Sequence, residues 1–333
     1  MERKLWVNVY IITLILTVQS PIFIIYSMKR ILLPVVAALC CLCNCCNNQT
    51  RTELYNKFNE AIDSRDTTAV TSVISDWERA FPNDAELYSL QANKYFLSAM
   101  TEVIAYTQNE EEAIGEYMVA NDSAGVETYI YSYTDFDPKK ISLGAKVLAE
   151  GIAKHPDRLD FRLGKVTLHL KMQEHALAVQ EIYSALEHSV INKNQWTSTL
   201  DAPIETDGVS YLRDCIQEYL SHFLNAGDLT SAESMVDKCL DVYPQDAVFI
   251  ADKGALKYFA DELEEALKWY IVALEIAPND MMIATNIGNI YNDLGDKQNA
   301  IKYYSIVAES SDMEYEDYIR YAKSKIQELS SSK

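Results

Sequence analysis

Small and apolar residues recur along this chain at a spacing of four and then three positions, and most of these stripes are followed by a proline. Ala266, Tyr270 and Ala273 form the clearest stripe, and Pro278 follows it. Residues at positions i, i+4 and i+7 lie on one face of an α-helix. Because proline cannot continue a helix and holds the preceding residue in extended backbone, the pattern predicts a buried helix that ends before Pro278.

The same stripe occurs six times, and three consecutive copies are separated by 34 residues. The other five copies are Ala300, Tyr304 and Val307; Ala232, Val236 and Cys239; Val70, Ile74 and Trp77; Gly144, Leu148 and Gly151; and Ala178, Ile182 and Ala185. A fixed period of this length is the sequence signature of an array of repeated structural units.

Each unit is predicted to contain two antiparallel helices, and the stripe marks the second of them. The first helix carries its own small residue, such as Gly254 or Gly288, which allows the two helices to lie close together. The turn between them is marked by Gly227-Asp228 and Gly295-Asp296. Asparagine and aspartate after the prolines, as in Pro278-Asn279-Asp280, are suited to cap the next helix.

These positions resemble the tetratricopeptide repeat, specifically over 213–314 and more loosely over 51–84 and 159–190. The resemblance implies an all-α fold, an α-α superhelix of about six helix-turn-helix repeats with a capping helix. The expected solenoid covers 51–329, with repeats at 51–84, 85–158, 159–212, 213–246, 247–280 and 281–314 and the cap at 315–329.

Two of the expected repeats are longer than the period, which predicts insertions at 108–137 and 189–210. In the first insertion, the turn cluster Asn121–Gly125 separates two segments that favour strands, so a short β-hairpin is expected there. The second insertion contains Trp196 and is predicted to be an ordered loop.

Residues 28–46 resemble a bacterial lipoprotein signal, with a basic start, a short apolar core and five cysteines between 40 and 46. In such signals a cysteine after the apolar core is lipidated. Cys45 is the candidate, and Cys40 is the alternative. Residues 1–27 are then an upstream extension or, in the rival interpretation, a membrane segment. We therefore expect a lipid anchor in a bacterial cell envelope, at the outer membrane and facing the periplasm.

The net charge of −20 argues against nucleic-acid binding, because a strongly acidic chain is repelled by a phosphate backbone. The sequence contains no phosphate-binding glycine loop, no zinc-binding HExxH and no Gly-x-Ser-x-Gly motif. It therefore nominates no catalytic residue, no cofactor and no metal site, and the expected function is non-catalytic.

In proteins that this chain resembles, the first helices of successive repeats line a concave groove for a protein or peptide partner. Carrying those positions over places Tyr258 and Phe259 beside Asn289 and Asn292, a surface that suits an extended or helical peptide. Ordinary packing between repeats is the alternative explanation of the two aromatic residues. The carried-over positions hold no lysine or arginine, so capture of a peptide's C-terminal carboxylate is not expected.

Two further sets of residues are candidates. Tyr131 and Tyr133 in the first insertion either form a second contact surface or hold the hairpin against the helices. Cys215 and Cys239 lie near helix ends that are adjacent in an antiparallel pair, so a disulfide between them is possible in an oxidising compartment.

Two functions are consistent with these patterns. The first is a protein-interaction scaffold anchored in the envelope, based on the repeats and the lipoprotein-like signal. The second is a ligand-capturing lipoprotein that binds a glycan or peptide nutrient, suggested by the aromatic hairpin and by Trp196.

Overall fold

A computed structural model describes residues 42–123, 125–204 and 207–331. The chain divides into two compact units between Gly208 and Val209, and each is described by itself. The first contains the helices α1 (Leu42–Asp63), α2 (Thr67–Ala80), α3 (Glu86–Ala99), α4 (Pro138–Lys154), α5 (Leu159–Lys171) and α6 (His175–Ile191). The second contains α7 (Gly208–Asn225), α8 (Leu229–Val242), α9 (Ala247–Phe259), α10 (Leu263–Ile276), α11 (Met281–Asp293), α12 (Lys297–Ala308) and α13 (Glu316–Ser331). The expected all-α solenoid of helix pairs with a small sheet is confirmed.

The six stripes are buried at every position, which confirms the helix faces inferred from their spacing. Helices α2, α4, α8 and α10 each end two residues before a proline, and the C-cap residue between the helix and the proline has ψ of 67–72°. A proline excludes helical backbone from the residue before it, so the sequence itself ends these helices.

Aspartate side chains begin several of the helices, and two of them, Asp246 and Asp280, follow prolines as expected. Asp246 and Asp280 accept hydrogen bonds from backbone N–H groups in the first turns of α9 and α11, and Asp137 does the same for α4. Gly227 and Gly295 lie in the predicted turns with φ of +70° and +78°, a left-handed conformation that glycine adopts without strain.

The first and second helices of a repeat approach closely where a glycine faces a tyrosine ring. A Cβ atom at Gly288 would lie 2.7 Å from Cε1 of Tyr304, and one at Gly254 would lie 2.9 Å from Cδ2 of Tyr270. Both distances are shorter than a real carbon–carbon contact. Glycine is therefore required at these positions of the first helix, because the tyrosine ring of the second helix occupies the space that a Cβ atom would need.

We expect the substitution Gly288→Ala to lower the free energy of unfolding by about 1–3 kcal/mol, the range for overpacked cores. Urea unfolding followed by circular dichroism measures the change. Gly144→Ala is the matched control, because its Cβ would meet ordinary contacts of 3.4 Å and longer. Alanine favours a helix interior over glycine, so this control is expected to be neutral or stabilising by about 0.5–1 kcal/mol. Equal losses in the two variants would contradict the close-approach explanation.

The first insertion is a three-stranded antiparallel sheet of β1 (Met100–Thr107), β2 (Tyr117–Asn121) and β3 (Glu127–Phe136) in the order β1-β3-β2. The predicted hairpin corresponds to β2 and β3. The sheet begins at Met100, before the expected insertion start near 108, because α3 ends at Ala99 and β1 follows it directly. The β-branched and aromatic residues of Met100–Thr107, among them Val103, Ile104 and Tyr106, were the available signal for this strand.

The base of the sheet joins the core of the first unit. Met100 and Phe136 pack against the cluster that contains Phe96, Leu148 and Phe161. The rings of Phe96 and Phe136 are stacked with their centroids 5.5 Å apart. Met100 and Phe136 therefore attach the sheet to the apolar core formed by α3, α4 and α5.

The described part of the second insertion is a loop that is attached to the first unit by a buried guanidinium. Thr197 forms two backbone hydrogen bonds with the turn before α5, from its N–H to Asp157 O and from Leu159 N–H to its carbonyl. Arg158 lies beneath the loop and donates from Nη1 to Asp201 Oδ1 at 3.1 Å. Leu200 N–H donates to Glu86 Oε2 at 2.7 Å. The loop is therefore bonded to α3 and to the start of α5.

The predicted N-terminal features lie mostly outside the described residues. These are the upstream segment 1–27, the basic start and apolar core of the signal, and Cys40. The backbone of Cys45 lies in α1. Among the described helices, none combines the length and the apolar content needed to cross a lipid bilayer.

Candidate partner-binding site

In the second unit, the first helices of successive repeats are connected to their neighbours by polar side chains. Gln217 on α7 donates to Asp252 on α9 at 2.5 Å. One repeat further on, the hydroxyl of Tyr258 donates to Asp293 Oδ2 on α11 at 2.5 Å. The three helices thus present their side chains next to one another, which is the arrangement that a peptide lying across several repeats requires.

Tyr258 and Phe259 lie at the end of α9. Tyr258 is half-buried and hydrogen-bonded to Asp293, whereas Phe259 is 40% exposed. Phe259 is therefore the accessible apolar side chain of this pair. Tyr258 is held in place by its hydroxyl, so the structure gives it both a packing role and a partly accessible ring.

The two candidate asparagines differ in their surroundings. Asn289 Oδ1 accepts hydrogen bonds from Tyr304 at 2.7 Å and from Tyr321 of the capping helix at 2.9 Å. Its side-chain carbonyl is therefore engaged within the fold. Asn292 is half-buried on the same helix. Whether these residues contact a partner stays a prediction.

The carboxylate of Asp252 is a buried group that the sequence interpretation missed. It is 3% exposed, and burial raises its pKa to about 7, while the hydrogen bond from Gln217 opposes this rise. The available signal was an acidic residue on the same helical face as Phe249 and Leu256, both of which are buried. This group connects two repeats rather than facing solvent.

The neighbouring surface of α7 is acidic. Burial raises the pKa of Asp214, while the charge of Arg213 opposes the rise. Burial also raises the pKa of Glu218, and the negative charge of Asp214 adds to the increase. Arg213 forms an ion pair with Asp246 at 2.8 Å. The surface beside the three first helices therefore offers carboxylates and one exposed aromatic ring.

Cys215 and Cys239 are both free thiols, so the predicted disulfide is not formed in this structure. Burial raises the pKa of each thiol far above its ordinary value. A neutral, buried thiol is a poor nucleophile. Cys239 instead fills a stripe position in the core of its repeat.

Tyr131 and Tyr133 lie on one face of the sheet with ring centroids 6.3 Å apart. Tyr133 is 38% exposed and Tyr131 is half-buried, while Tyr129 on the same face is buried. Accessible ring area is thus present at Tyr133, and its use by a partner stays a prediction.

Trp196, which suggested a ligand surface, is only 2% exposed. Its ring packs near His188, with centroids 5.5 Å apart, and the guanidinium of Arg162 lies 5.9 Å from its centroid. The use of Trp196 as an accessible ligand contact is therefore wrong, because the loop folds this ring into the protein. Within the described ranges, no group of three or more His, Cys, Asp or Glu side chains is arranged to hold a metal ion.

Comparison with known proteins finds a match to the family model of the tetratricopeptide repeat over residues 283–305, which cover most of α11 and α12. A search of the curated proteins gives no match. Among solved structures, a tetratricopeptide repeat protein from Parabacteroides merdae is similar at 12% identity and a TM-score of 0.36, with 86% of this chain and 95% of that chain covered.

Two further solved structures are similar to this chain. The protein TTC0263 from Thermus thermophilus has 14% identity and a TM-score of 0.34, with 57% of this chain and 92% of that chain covered. The TPR2AB domain of yeast Sti1, solved in a complex with pHSP90, has 10% identity and a TM-score of 0.31, with coverage of 85% and 99%.

Proposed function

We infer that this chain, a tetratricopeptide repeat protein, is a non-catalytic scaffold that binds a protein or peptide partner and is anchored in a bacterial cell envelope. The observation that carries the binding function is the row of first helices α7, α9 and α11. Their side chains are connected across repeats, and Phe259 remains exposed among them. Repeated helices of this kind form extended binding surfaces.

The partner surface that we propose is centred on Tyr258 and Phe259, with Asn292 as its polar neighbour on α11. Phe259 supplies the apolar contact area, and the hydroxyl of Tyr258 already has its partner in Asp293. Aromatic side chains that are held in place contribute strongly to protein interfaces because little conformational freedom is lost on binding. Asn289 contributes less directly, since its carbonyl supports Tyr304 and Tyr321.

The envelope anchor rests on the sequence alone, on the basic start, apolar core and cysteines of 28–46. We propose lipidation at Cys45, or at Cys40, with the repeats facing the periplasm. The alternative function is capture of a glycan or peptide nutrient. Trp196 no longer supports it because its ring is buried, so its remaining support is the set of tyrosines on the sheet.

Affinity capture of the full chain from detergent-solubilised envelopes, with brief crosslinking and mass spectrometry, tests the proposal. We expect a reproducible partner that is lost when Tyr258 and Phe259 are both replaced by alanine. Truncating aromatic hot spots weakens binding by about 2 kcal/mol or more, roughly thirtyfold in affinity. The double substitution Val272→Ala and Ile276→Ala is the matched control, because both side chains are exposed on α10 of the same repeat.

Retention of the partner by the alanine variant of Tyr258 and Phe259 would place the binding surface elsewhere. Equal loss in the control would indicate a general effect on the repeat. Recovery of the protein outside the envelope fraction would contradict the anchor without affecting the binding surface.

A further inference from the structure

The three-stranded sheet carries an apolar row across one face. Tyr106 of β1 and Met118 of β2 are both paired with Ile130 of β3, so these three side chains lie in one line. Tyr106 and Met118 are 78% and 69% exposed, and Ile104 on the same face is 78% exposed. A contiguous exposed apolar patch of this kind marks an interaction surface.

The segment that forms this sheet, Met100–Phe136, is called the 100–136 arm. It contains eight acidic residues and no lysine, arginine or histidine. All eight carboxylates are exposed. Arg65, outside the arm, forms an ion pair with Glu102 at 3.2 Å, at the base of β1. The arm therefore combines an apolar face with a strong local excess of negative charge.

The edge of β1 is open to a further strand. In the order β1-β3-β2, β1 lies at one side of the sheet and pairs only with β3 in the described part of the chain. Its eight residues include no proline and no lysine, the residues that commonly block an exposed edge. An extended polypeptide can add to such an edge through main-chain hydrogen bonds, with its alternate side chains meeting the sheet face.

Charge selects the occupant of this edge. A second copy of the chain would bring eight more carboxylates to the same place, and like charges that face each other oppose association. A polypeptide with basic side chains is attracted instead, and its apolar side chains would cover Ile104 and Tyr106. We propose that the 100–136 arm docks an extended segment of a partner protein in which lysine or arginine alternates with apolar residues, added along β1.

The first test uses a fluorescein-labelled peptide of the length of β1 in which lysine alternates with valine, titrated with the full chain and followed by fluorescence anisotropy. We expect binding that weakens as the ionic strength rises, because exposed charges are screened. The same peptide with glutamate in place of lysine is expected not to bind. A lysine–valine peptide that is N-methylated on the side facing β1 is also expected not to bind, because it cannot donate hydrogen bonds to the edge.

The charge contribution is tested by replacing Glu110, Glu111 and Glu112 with glutamine. Glutamine keeps an oxygen acceptor for the hydroxyl of Tyr117, which donates to Glu110, while it removes the charge. We expect the affinity for the lysine–valine peptide to fall roughly tenfold, on the scale of electrostatic steering. The matched control replaces Glu264, Glu265 and Glu275 of α10 with glutamine, changes the net charge equally, and is expected to leave the affinity unchanged.

The apolar contribution is tested by replacing Ile104 and Tyr106 with threonine, which preserves strand propensity. Binding is expected to fall roughly tenfold or more, as for truncation of contact residues at an interface. Circular dichroism confirms that each variant is folded. The variant in which Tyr258 and Phe259 are replaced by alanine is expected to bind the peptide normally, which separates this proposal from the function proposed for α9.

Three results would overturn the proposal. Equal binding of the lysine and glutamate peptides would remove the role of charge. Equal binding of the N-methylated peptide would remove the role of the edge. Analytical ultracentrifugation could instead show that the full chain is a dimer. If that dimer is lost when Ile104 and Tyr106 are replaced by threonine, the surface would be assigned to a second copy of the chain.

Discussion

Replacing Arg158 with alanine is expected to lower the free energy of unfolding by about 3–5 kcal/mol, because it leaves the buried carboxylate of Glu86 without its counter-charge. Arg158 is 1% exposed, and Glu86 is fully buried. Nη2 of Arg158 lies 3.1 Å from Glu86 Oε2, and the same guanidinium donates to both carboxylate oxygens of Asp160 at 2.7 and 2.8 Å. Loss of this side chain therefore affects two helices and the loop at once.

The pH dependence of the loss follows from Glu86. Burial raises the pKa of Glu86 above its ordinary value, and the charge of Arg158 opposes that rise. Without Arg158 the pKa of Glu86 rises further. A carboxyl whose pKa is higher in the folded than in the unfolded state lowers the stability of the fold as the pH rises above the unfolded-state pKa. Protonation at lower pH removes that penalty. The stability deficit of the variant is therefore expected to be larger at about pH 8 than at about pH 5.

Urea unfolding of the variant and the unsubstituted protein at both pH values measures these differences. Arg79→Ala is the matched control, since Arg79 forms an exposed ion pair with Asp76 on α2. Exposed pairs contribute about 0–1 kcal/mol, so the control is expected to show little change. Similar losses for the two arginines, or a deficit that does not change with pH, would contradict the role given to the buried network.

Replacing Tyr304 with alanine is expected to lower the free energy of unfolding by about 3–5 kcal/mol, as for other large aromatic residues in a core. Tyr304 is fully buried, its ring fills the space above Gly288, and its hydroxyl donates to Asn289 at 2.7 Å. Tyr321 of the capping helix packs edge-on against it with centroids 6.1 Å apart. The cavity would lie where the last repeat meets its cap.

Tyr304→Phe separates the ring from the hydroxyl and is expected to lose only about 1 kcal/mol, the contribution of one hydrogen bond. Tyr303→Ala is the positional control, because Tyr303 is partly exposed and stacks on Tyr291 with centroids 5.6 Å apart. Thermal and urea unfolding of the three variants give the comparison. A loss at Tyr303 as large as that at Tyr304 would show that the stripe position has no special role in the repeat.

The repeated stripes were predictable because the i, i+4, i+7 spacing and the following proline act within a single helix. Ala266, Tyr270 and Ala273 are buried, and α10 ends at Ile276, with its C-cap Ala277 directly before Pro278, as the pattern predicts. The turn at Gly295 is likewise a local property, because its positive φ depends on the residue itself. Such features need no knowledge of distant parts of the chain.

The first strand of the 100–136 arm was missed for a different reason. Met100–Thr107 follows α3 without a turn residue, and its apolar residues run together at 103–106 instead of alternating with polar ones. Its identity as a strand comes from pairing with β3, which is more than twenty residues away in the sequence. The partner contacts of Tyr258, Phe259 and Asn292 remain predictions, since exposure alone does not identify a ligand.

The sequence by itself determined the repeat period, the buried helix faces, the helix ends and the strongly acidic character of the chain, because all of these depend on neighbouring residues or on composition. Only the tertiary structure decided that Arg158 joins Glu86, Asp160 and Asp201, that Asp252 is buried against Gln217, and that Trp196 faces inward. Arg158 and Glu86 are 72 positions apart in the sequence, and the hydrogen bond from Leu200 N–H to Glu86 joins residues 114 positions apart. Their formation depends on how the helices and the loop pack together, which no local pattern encodes.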